Sequence, residues 1–141
     1  MRTFRLASAV LLLAGSASSF WQESASVWDG VYAAEQARRG KEQYQKNGCA
    51  GCHGGNLEGQ GMAAALKGET ILRTWNGRSV YDLFARIITT MPQDDPGSLS
   101  ADAGIDIVAF LLGANGFPAG MEVLAPESET LKKIKILKEK P

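Results

Sequence analysis

The sequence has no excess of charge of either sign, since 15 Lys and Arg residues balance 15 Asp and Glu residues. A nucleic-acid-binding domain normally carries a clustered basic excess, and the body of this chain has none. At 141 residues the chain is also too short for a multidomain enzyme. The composition therefore predicts one small globular domain, and its 16 glycines and 5 prolines indicate a compact core with many turns.

Long apolar runs are missing except near the start of the chain, where Leu6–Ala14 follows a segment with two arginines. This pattern predicts a cleavable signal peptide over residues 1–19, with cleavage after Ala17 or Ser19. The run is too short to cross about 30 Å of hydrocarbon as a helix, so we expect no transmembrane segment in the mature chain. Loss of the two arginines leaves 13 basic and 15 acidic residues in an exported, oxidising compartment.

An arm at residues 20–30 precedes the first of three predicted helices. Small or aromatic residues recur at helical spacing on one narrow face of this helix, and polar residues, including Gln36, occupy the rest. The narrow face consists of Ala33, Ala37, Gly40 and Tyr44. Because a glycine costs about 1 kcal/mol of helix propensity relative to alanine, we expect Gly40 to permit the close approach of another helix.

The second and third helices have clear starting signals. Ser79 is a good N-cap with Asp82 at the third helical position, and an apolar face follows. Ser100 caps a last helix that runs to about Leu112 and is apolar nearly all round, so we expect it to be the most buried element. Residues 47–76 show a glycine-rich loop composition followed by a weak pattern.

The scarce cysteines and the single histidine lie together in Cys49-Ala50-Gly51-Cys52-His53, a C-x-x-C-H sequence. This is the attachment signature of c-type haem, because two thiols at this spacing add to the two vinyl groups of one porphyrin and the next imidazole binds iron. A disulfide is one alternative, but a C-x-x-C disulfide usually belongs to a thioredoxin-like scaffold with strands. Zinc is another, but no further His or Cys exists to complete its ligands. We therefore predict one haem c, covalent through Cys49 and Cys52, with His53 on the iron.

The second axial ligand must come from another residue type, because the chain has no other histidine. Methionine, lysine, water and an open position are the options. Met91 is the best placed methionine, since it follows the second helix, is held by Pro92 and lies 38 residues after His53. Met62 is only nine residues beyond His53, and Met121 follows the last helix. We predict that Met91 binds the iron, with ordinary core packing of this side chain as the alternative.

The chain resembles class I c-type cytochromes over roughly residues 31–120. Besides the haem motif, the residues that carry the resemblance are Gly40, Tyr44, Thr90, Met91, Pro92 and Phe110. The resemblance implies an all-α fold of three main helices around one haem, with Gly40 in contact with Phe110. More narrowly, residues 91–100 and 106–118 resemble the cytochrome c proteins and domains that accompany bacterial quinoprotein (pyrroloquinoline-quinone) alcohol dehydrogenases.

The resemblance also implies roles around the haem. Trp75 and Arg78 look like the family's polar contacts to the haem propionates, with plain packing of Trp75 and solvation of Arg78 as the alternatives. Relatives often have a proline whose carbonyl accepts a hydrogen bond from the iron-binding histidine, but the equivalent stretch here has alanines. A backbone acceptor needs no particular side chain, so we expect a carbonyl near Ala64 to orient His53.

These features predict an electron-transfer protein rather than an enzyme: a periplasmic one-electron carrier. We expect electrons to pass from a quinoprotein or other dehydrogenase, or from a membrane complex, to a terminal oxidase. A thioether ligand and an apolar pocket favour a relatively high potential; we expect Leu83, Phe84, Ile87 and Leu111 to line that pocket. The alternatives are a subunit docked permanently in a larger redox complex and a ligand-binding or peroxidase-like haem protein.

The remaining residues divide the chain into a cytochrome c domain at 31–121 and a lysine-rich tail at 122–141. Within the tail, Glu127 and Glu129 favour a short helix with a Glu129–Lys133 pair, whereas residues 134–136 alternate like a strand. The apolar residues of the tail favour packing on the body, and docking on a partner is the alternative.

Overall fold

The computed structural model describes residues 25–141. The predicted signal peptide, with its two cleavage points, and residues 20–24 of the predicted arm lie outside the described residues. The described chain is helical, with isolated β-bridges and no extended strand, which confirms the predicted all-α fold. Its helices are α1 (Ala34–Lys46), α2 (Cys49–His53), α3 (Glu69–Trp75), α4 (Val80–Thr90), α5 (Ala101–Ala114) and α6 (Ser128–Lys133). Of the helices in residues 25–141, none is long and apolar enough to cross a membrane.

Helices α1 and α5 cross in close contact at Gly40. A Cβ atom at this position would lie 1.8 Å from the carbonyl oxygen of Asp106 and 2.8 Å from Cβ of Phe110. The neighbouring residue reinforces the crossing, because Nε of Arg39 lies 3.1 Å from Oδ2 of Asp106. The predicted contact between Gly40 and Phe110 is therefore confirmed, and only glycine leaves room for it.

Helix α4 begins at the predicted cap. Ser79 accepts a hydrogen bond from the amide of Asp82, and the Asp82 carboxylate accepts from the amide and hydroxyl of Ser79 at 2.9 and 2.7 Å. The helix ends at Thr90, and Met91 follows in an extended conformation, as expected for a residue before proline. Local signals thus place Met91 just beyond the helix end, where it was predicted.

Helix α5 begins at Ser100, whose hydroxyl accepts from the amide of Ala103. It extends two residues beyond the predicted end and contains more buried residues than any other described helix. These residues are Gly104, Ile105, Ile107, Val108, Ala109, Leu111 and Leu112. The expectation that the last helix of the haem domain is its most buried element is confirmed.

The C-terminal tail packs on the body and combines both predicted conformations. Helix α6 is followed by an extended segment, and Lys135 forms bridges with Ser26 and Ser79. Leu131 is fully buried in the main core, which confirms packing on the body. The predicted Glu129–Lys133 pair is wrong, because Glu129 instead binds Lys132 at 2.8 Å.

Gln36 is a further correction, because it was predicted on the solvated face of α1. Its side chain is only 1% exposed. Its amide nitrogen donates to the carbonyl of Leu124 at 2.7 Å, and its amide oxygen accepts from the amide of Leu124 at 2.9 Å. The tail thus buries a polar residue that α1 alone would expose, and satisfies both of its polar atoms.

Helix α3 was also missed, since its stretch showed only a weak pattern. It begins after Gly68, and Ile71 is its buried residue. A seven-residue helix with one buried position has too few turns to show a clear apolar period. Contacts with other elements of the fold determine the position of α3.

Replacing Gly40 with alanine is expected to destabilise the protein. The added methyl group would overlap the backbone of α5, and overpacking of this kind costs about 3 kcal/mol, against a gain of about 1 kcal/mol in helix propensity. We therefore expect the free energy of unfolding to fall by about 2 kcal/mol in chemical denaturation. Gly55→Ala is the control, since a Cβ there meets open space; an equal loss in both variants would contradict the close crossing.

The cap of α4 is expected to make stability depend on pH. Hydrogen bonds from Ser79 lower the pKa of Asp82, with smaller help from Lys135 and Arg78. Because the folded pKa lies below the unfolded one, the stabilisation is present above about pH 4 and is lost as the pH falls through the folded value. Asp82→Asn should lower the free energy of unfolding by about 0.5 kcal/mol at neutral pH, the low end for an exposed cap.

Urea denaturation at neutral and acidic pH measures this effect. The difference between wild type and Asp82→Asn should shrink as Asp82 becomes protonated. Asp94→Asn, which removes an exposed loop carboxylate, is the matched control. A difference that stays constant with pH would show that the charge of Asp82 does not act through the cap.

Candidate haem-binding site

The C-x-x-C-H sequence forms the short helix α2 rather than the predicted loop. Gly48 and Gly54 flank this helix with φ angles of 73° and 82°. Positive φ angles of this size favour glycine. The thiols of Cys49 and Cys52 are free, with Cys49 half-buried and Cys52 exposed. Burial raises the pKa of the Cys49 thiol. One helical turn thus presents both thiols and the following imidazole together.

His53 is held by the predicted backbone contact. Its Nδ1 lies 2.8 Å from the carbonyl oxygen of Ala64. With Nδ1 as donor to this carbonyl, Nε2 carries the free lone pair and is the atom available to a metal. The structure therefore confirms that a carbonyl at Ala64 orients His53 without the proline of relatives.

The loop that carries Ala64 folds back tightly on the haem motif. The amide of Gly59 donates to the carbonyl of His53 at 2.8 Å, and the amide of Leu66 donates to the carbonyl of Leu57 at 2.9 Å. Gly59 has a φ of 77°, and a Cβ there would lie 2.7 Å from the carbonyl oxygen of Ala63. This glycine permits the close approach that brings Ala64 to the imidazole.

Tyr44 of α1 contacts the C-terminal end of α2, a role that sequence reasoning missed. Its buried hydroxyl donates to the carbonyl of Gly54 at 2.8 Å, and its ring centroid lies 5.5 Å from that of Phe110. Burial, with smaller effects of Cys49 and Glu58, raises the pKa of Tyr44 to about 12. The phenol therefore remains a donor at neutral pH. The signals in the sequence were its position on the narrow face of α1 and its place among the residues that carry the family resemblance.

An apolar pocket lies between α3, α4, α5 and the tail. Its lining includes Ile71, Leu72, Trp75, Leu83, Leu111 and Ile136. Leu83 and Leu111, two of the residues predicted to line the haem pocket, line this small pocket, and their contact with haem stays a prediction. Phe84 instead packs its ring against Gly104 in the α4–α5 contact, and Ile87 packs on the cluster that also holds Cys49. Phe84 therefore belongs to the core, because the absence of a side chain at Gly104 leaves space for its ring.

Trp75 and Arg78 lie together at the edge of this pocket. Trp75 lines it, and the guanidinium carbon of Arg78 lies 5.3 Å from the centroid of the Trp75 ring. The amide of Arg78 also donates to the carbonyl of Trp75 at 3.0 Å. Arg78 is exposed, so its charge remains available beside an apolar surface. The arrangement suits a carboxylate group held at the pocket edge.

Met91 is half-buried at the end of α4. Its amide donates to the carbonyl of Ile87 at 3.0 Å, and Ile87 packs on the cluster that also holds Cys49. The other two methionines of the described chain are far more exposed, Met62 at 105% and Met121 at 94%. Among the described methionines, Met91 is therefore the thioether available to a buried ligand site.

Asn115, which sequence reasoning also missed, joins the pocket to the histidine loop. Its side chain lines the pocket, donates to the carbonyl of Leu66 at 3.0 Å and accepts from the amide of Gly68 at 2.9 Å. The residue lies at the end of α5. This cross-link fixes the loop of Ala64 on one side and the start of α3 on the other.

The donor set fits a covalently bound haem. Two free thiols lie on one turn, the imidazole has Nε2 available, and a half-buried thioether lies at the end of α4. Apolar side chains lie beside these donors, since Ile87, Leu66 and Leu111 belong to the cluster that holds Cys49, and a porphyrin requires such surroundings. Cys49 and Cys52 would hold the porphyrin, and His53 would bind its iron.

Comparison with known proteins agrees with this chemistry. The family described as "Cytochrome C oxidase, cbb3-type, subunit III" matches residues 35–111. The structure is also similar to a chain in the crystal structure of the sulfane dehydrogenase SoxCD from Paracoccus pantotrophus. The TM-score is 0.52 and the sequence identity 22%, over 94% of this chain and 68% of that chain, so this likeness shows the fold. No curated protein matches the sequence.

The family match includes the haem motif and Met91 and ends inside α5. It confirms the broad resemblance to c-type cytochromes, and its description does not name quinoprotein dehydrogenases. A cytochrome c domain is a haem-dependent electron-transfer module. The chain therefore belongs to the family of the cbb3-type cytochrome c oxidase subunit III, as a cytochrome c domain.

Proposed function

We propose that this chain is an exported one-electron carrier that binds a single haem c through Cys49 and Cys52, with His53 and Met91 as axial ligands. The observation that carries the proposal is the 2.8 Å contact between Nδ1 of His53 and the carbonyl oxygen of Ala64. It leaves Nε2 free on the residue that directly follows the two free thiols. This is the arrangement that covalent attachment and axial ligation both need.

Each residue of the site has a distinct task in this function. The carbonyl of Ala64 fixes the tautomer and orientation of His53. Tyr44 holds the end of α2 through Gly54, and the apolar side chains that pack with Cys49 keep water away from the porphyrin. When bound, haem c supplies the one-electron couple of Fe(III) and Fe(II). The chain itself changes neither protonation nor covalent structure in such a transfer.

Two features of the site favour a relatively high potential. A thioether at the second axial position stabilises Fe(II) more than a second nitrogen ligand does. The apolar side chains that pack with Cys49 disfavour the additional positive charge of Fe(III). Both effects favour acceptance of an electron from a dehydrogenase, and an oxidase of still higher potential would then accept it.

A haem protein whose two axial positions on the iron are both filled by side chains acts as an electron carrier rather than as an enzyme. No coordination position is then open to a small substrate, so a peroxidase-like reaction lacks its binding step. The expected compartment is the periplasm, because the predicted signal peptide directs export and covalent haem attachment occurs on the exported side of the membrane. The resemblance of residues 91–100 to quinoprotein-associated cytochromes favours such a dehydrogenase as the donor.

A second candidate is a permanent subunit of a larger redox complex. The fold likeness to a chain of the sulfane dehydrogenase SoxCD favours it, since that structure contains a cytochrome-like chain within an enzyme. Size-exclusion chromatography of the native protein separates the two. A carrier elutes as a small monomer, whereas a permanent subunit elutes at the size of its complex even in high salt, which screens contacts between exposed charges.

Met91→Ala in the haem-loaded protein tests the ligand assignment. Loss of the sulfur should abolish the weak sulfur-to-iron absorption band of the oxidised protein and allow the reduced protein to bind carbon monoxide rapidly. The midpoint potential should fall by about 0.1 V, within the range of about 0.8 V that axial ligands span. Visible spectroscopy and a redox titration measure these changes.

Met62→Ala and Met121→Ala are matched controls, because both remove an exposed thioether. They should retain the band, the potential and the resistance to carbon monoxide. If Met91→Ala retained all three properties, or if a control lost them, the assignment of Met91 would be wrong. A strongly negative potential of the wild type would contradict the proposed role as a high-potential carrier.

A further inference from the structure

Two asparagines, Asn47 and Asn115, end the helices α1 and α5 in the same way. In Asn115, the backbone amide and the side-chain amide both donate to the carbonyl of Leu111, at 3.1 and 2.8 Å. In Asn47, the same two groups donate to the carbonyl of Gln43, at 3.0 and 2.8 Å. As caps of their own helices the two residues are therefore equivalent.

Asn115 differs from Asn47 because its side chain also binds a loop that is distant in the sequence. Its Nδ2 donates to the carbonyl of Leu66 at 3.0 Å, and its Oδ1 accepts from the amide of Gly68 at 2.9 Å. Within residues 25–141, the further hydrogen bond of the Asn47 side chain stays inside α1, to Oε1 of Gln43 at 3.2 Å. The end of α5 is thus joined to the loop that follows the haem motif.

Leu66 lies two residues after Ala64, whose carbonyl contacts Nδ1 of His53. The amide of Leu66 donates to the carbonyl of Leu57 at 2.9 Å, and its carbonyl accepts from the side chain of Asn115. Both backbone polar groups of Leu66 are therefore held, one by the loop itself and one by α5. Ala64 lies close to this fixed point of the loop.

The loop has few residues that restrict its backbone by themselves. Residues 63–65 are all alanine, and Gly59 and Gly61 precede them with positive φ angles. Alanine and glycine do not fix φ as proline does. The direction of the Ala64 carbonyl consequently depends on the contacts that hold the end of the loop, and Asn115 supplies two of them from α5.

We propose that Asn115 is a positioning residue for His53, which keeps the Ala64 carbonyl on Nδ1 and thereby lowers the midpoint potential. The inference rests on the proposed function, since it takes His53 as an iron ligand. Asn115 lies four residues beyond the end of the matched family region, so the family match assigns it no role.

The physical reason is the effect of the Nδ1 hydrogen bond on the other nitrogen of the imidazole. Donation from Nδ1 to a carbonyl makes Nε2 a more basic ligand. A more basic ligand stabilises the more highly charged ferric iron relative to ferrous iron. If Asn115 no longer holds Leu66, the Ala64 carbonyl is less firmly kept at 2.8 Å from Nδ1, so the ferrous state is favoured.

Asn115→Ala and Asn47→Ala in the haem-loaded full chain form a matched pair that tests this proposal. Each variant removes the same cap of a helix, but only Asn115→Ala removes the hydrogen bonds to Leu66 and Gly68. Redox titration gives the midpoint potential, and chemical denaturation gives the stability. Hydrogen exchange followed by NMR in the reduced protein gives the exchange rate of the Nδ1 proton of His53.

We expect Asn115→Ala to shift the equilibrium about threefold toward the reduced form, about 28 mV at about 59 mV per tenfold change. The Nδ1 proton of His53 should exchange about tenfold faster, because its acceptor is held less firmly. Asn47→Ala should lose stability through its cap and show neither of these changes.

Hydrogen exchange in the wild type tests the link without any variant, even if Asn115→Ala fails to fold. The amide of Gly68 donates to Asn115, so the proposal requires that it and the Nδ1 proton of His53 open together. Their free energies of opening should be equal and should fall in parallel as urea is added. A Gly68 amide that opens far more readily than Nδ1 would show that the contact with Asn115 does not hold His53, and would overturn the proposal.

An unchanged potential and an unchanged exchange rate in Asn115→Ala, or equal changes in both variants, would overturn the role of Asn115. A shift in potential without faster exchange of the Nδ1 proton would overturn the action through His53. These results leave the proposed function intact, because the wild type still shows a reversible haem couple. Absence of that couple in the wild type would overturn the proposed function and this inference together.

Discussion

The contact of α1 with α5 at Gly40 is the constraint on which the rest of the site depends. Because a Cβ at Gly40 would overlap the backbone of α5, the two helices lie closer together than a larger residue at this position would allow. One turn along α1, Tyr44 then meets both Phe110 and the carbonyl of Gly54. Along α5, Asn115 reaches the loop of Ala64. The orientation of the histidine is thus coupled to a helix crossing that contains no ligand.

The parts of the fold that the sequence predicted are those that depend on neighbouring residues. The cap at Ser79, the extended Met91 and the grouping of Cys49, Cys52 and His53 need only a few adjacent positions, so they can be read without knowledge of the fold. The contacts of Gly40 with Phe110 and of His53 with the Ala64 carbonyl are distant along the chain. They were predicted through a family resemblance and not from periodicity.

Two of the features that sequence reasoning missed depend on contacts of the C-terminal tail with distant parts of the chain. Gln36 is polar and sits among charged residues of α1, so only its pairing with Leu124, 88 residues away, explains its burial. Ile136 belongs to a lysine-rich tail whose local pattern fits a helix or a strand, and its place in the pocket follows from pairing with Arg78. Neither pairing can be predicted from the local sequence, because a hydrogen bond to a backbone group requires no particular residue type in the partner.

The small apolar pocket draws its walls from α3, α4, α5 and the tail, from Ile71 to Ile136. A domain of this size has a marginal core, and most of these walls are buried in the folded chain itself, with Ile136 at 2% and Leu111 at 3% exposure. Any group that binds the folded form alone stabilises it further, as a haem held by Cys49 and Cys52 would. The tail supplies Leu131, Ile134 and Ile136 to the main core, so a chain end forms part of the packed interior of this small domain and contributes to its stability.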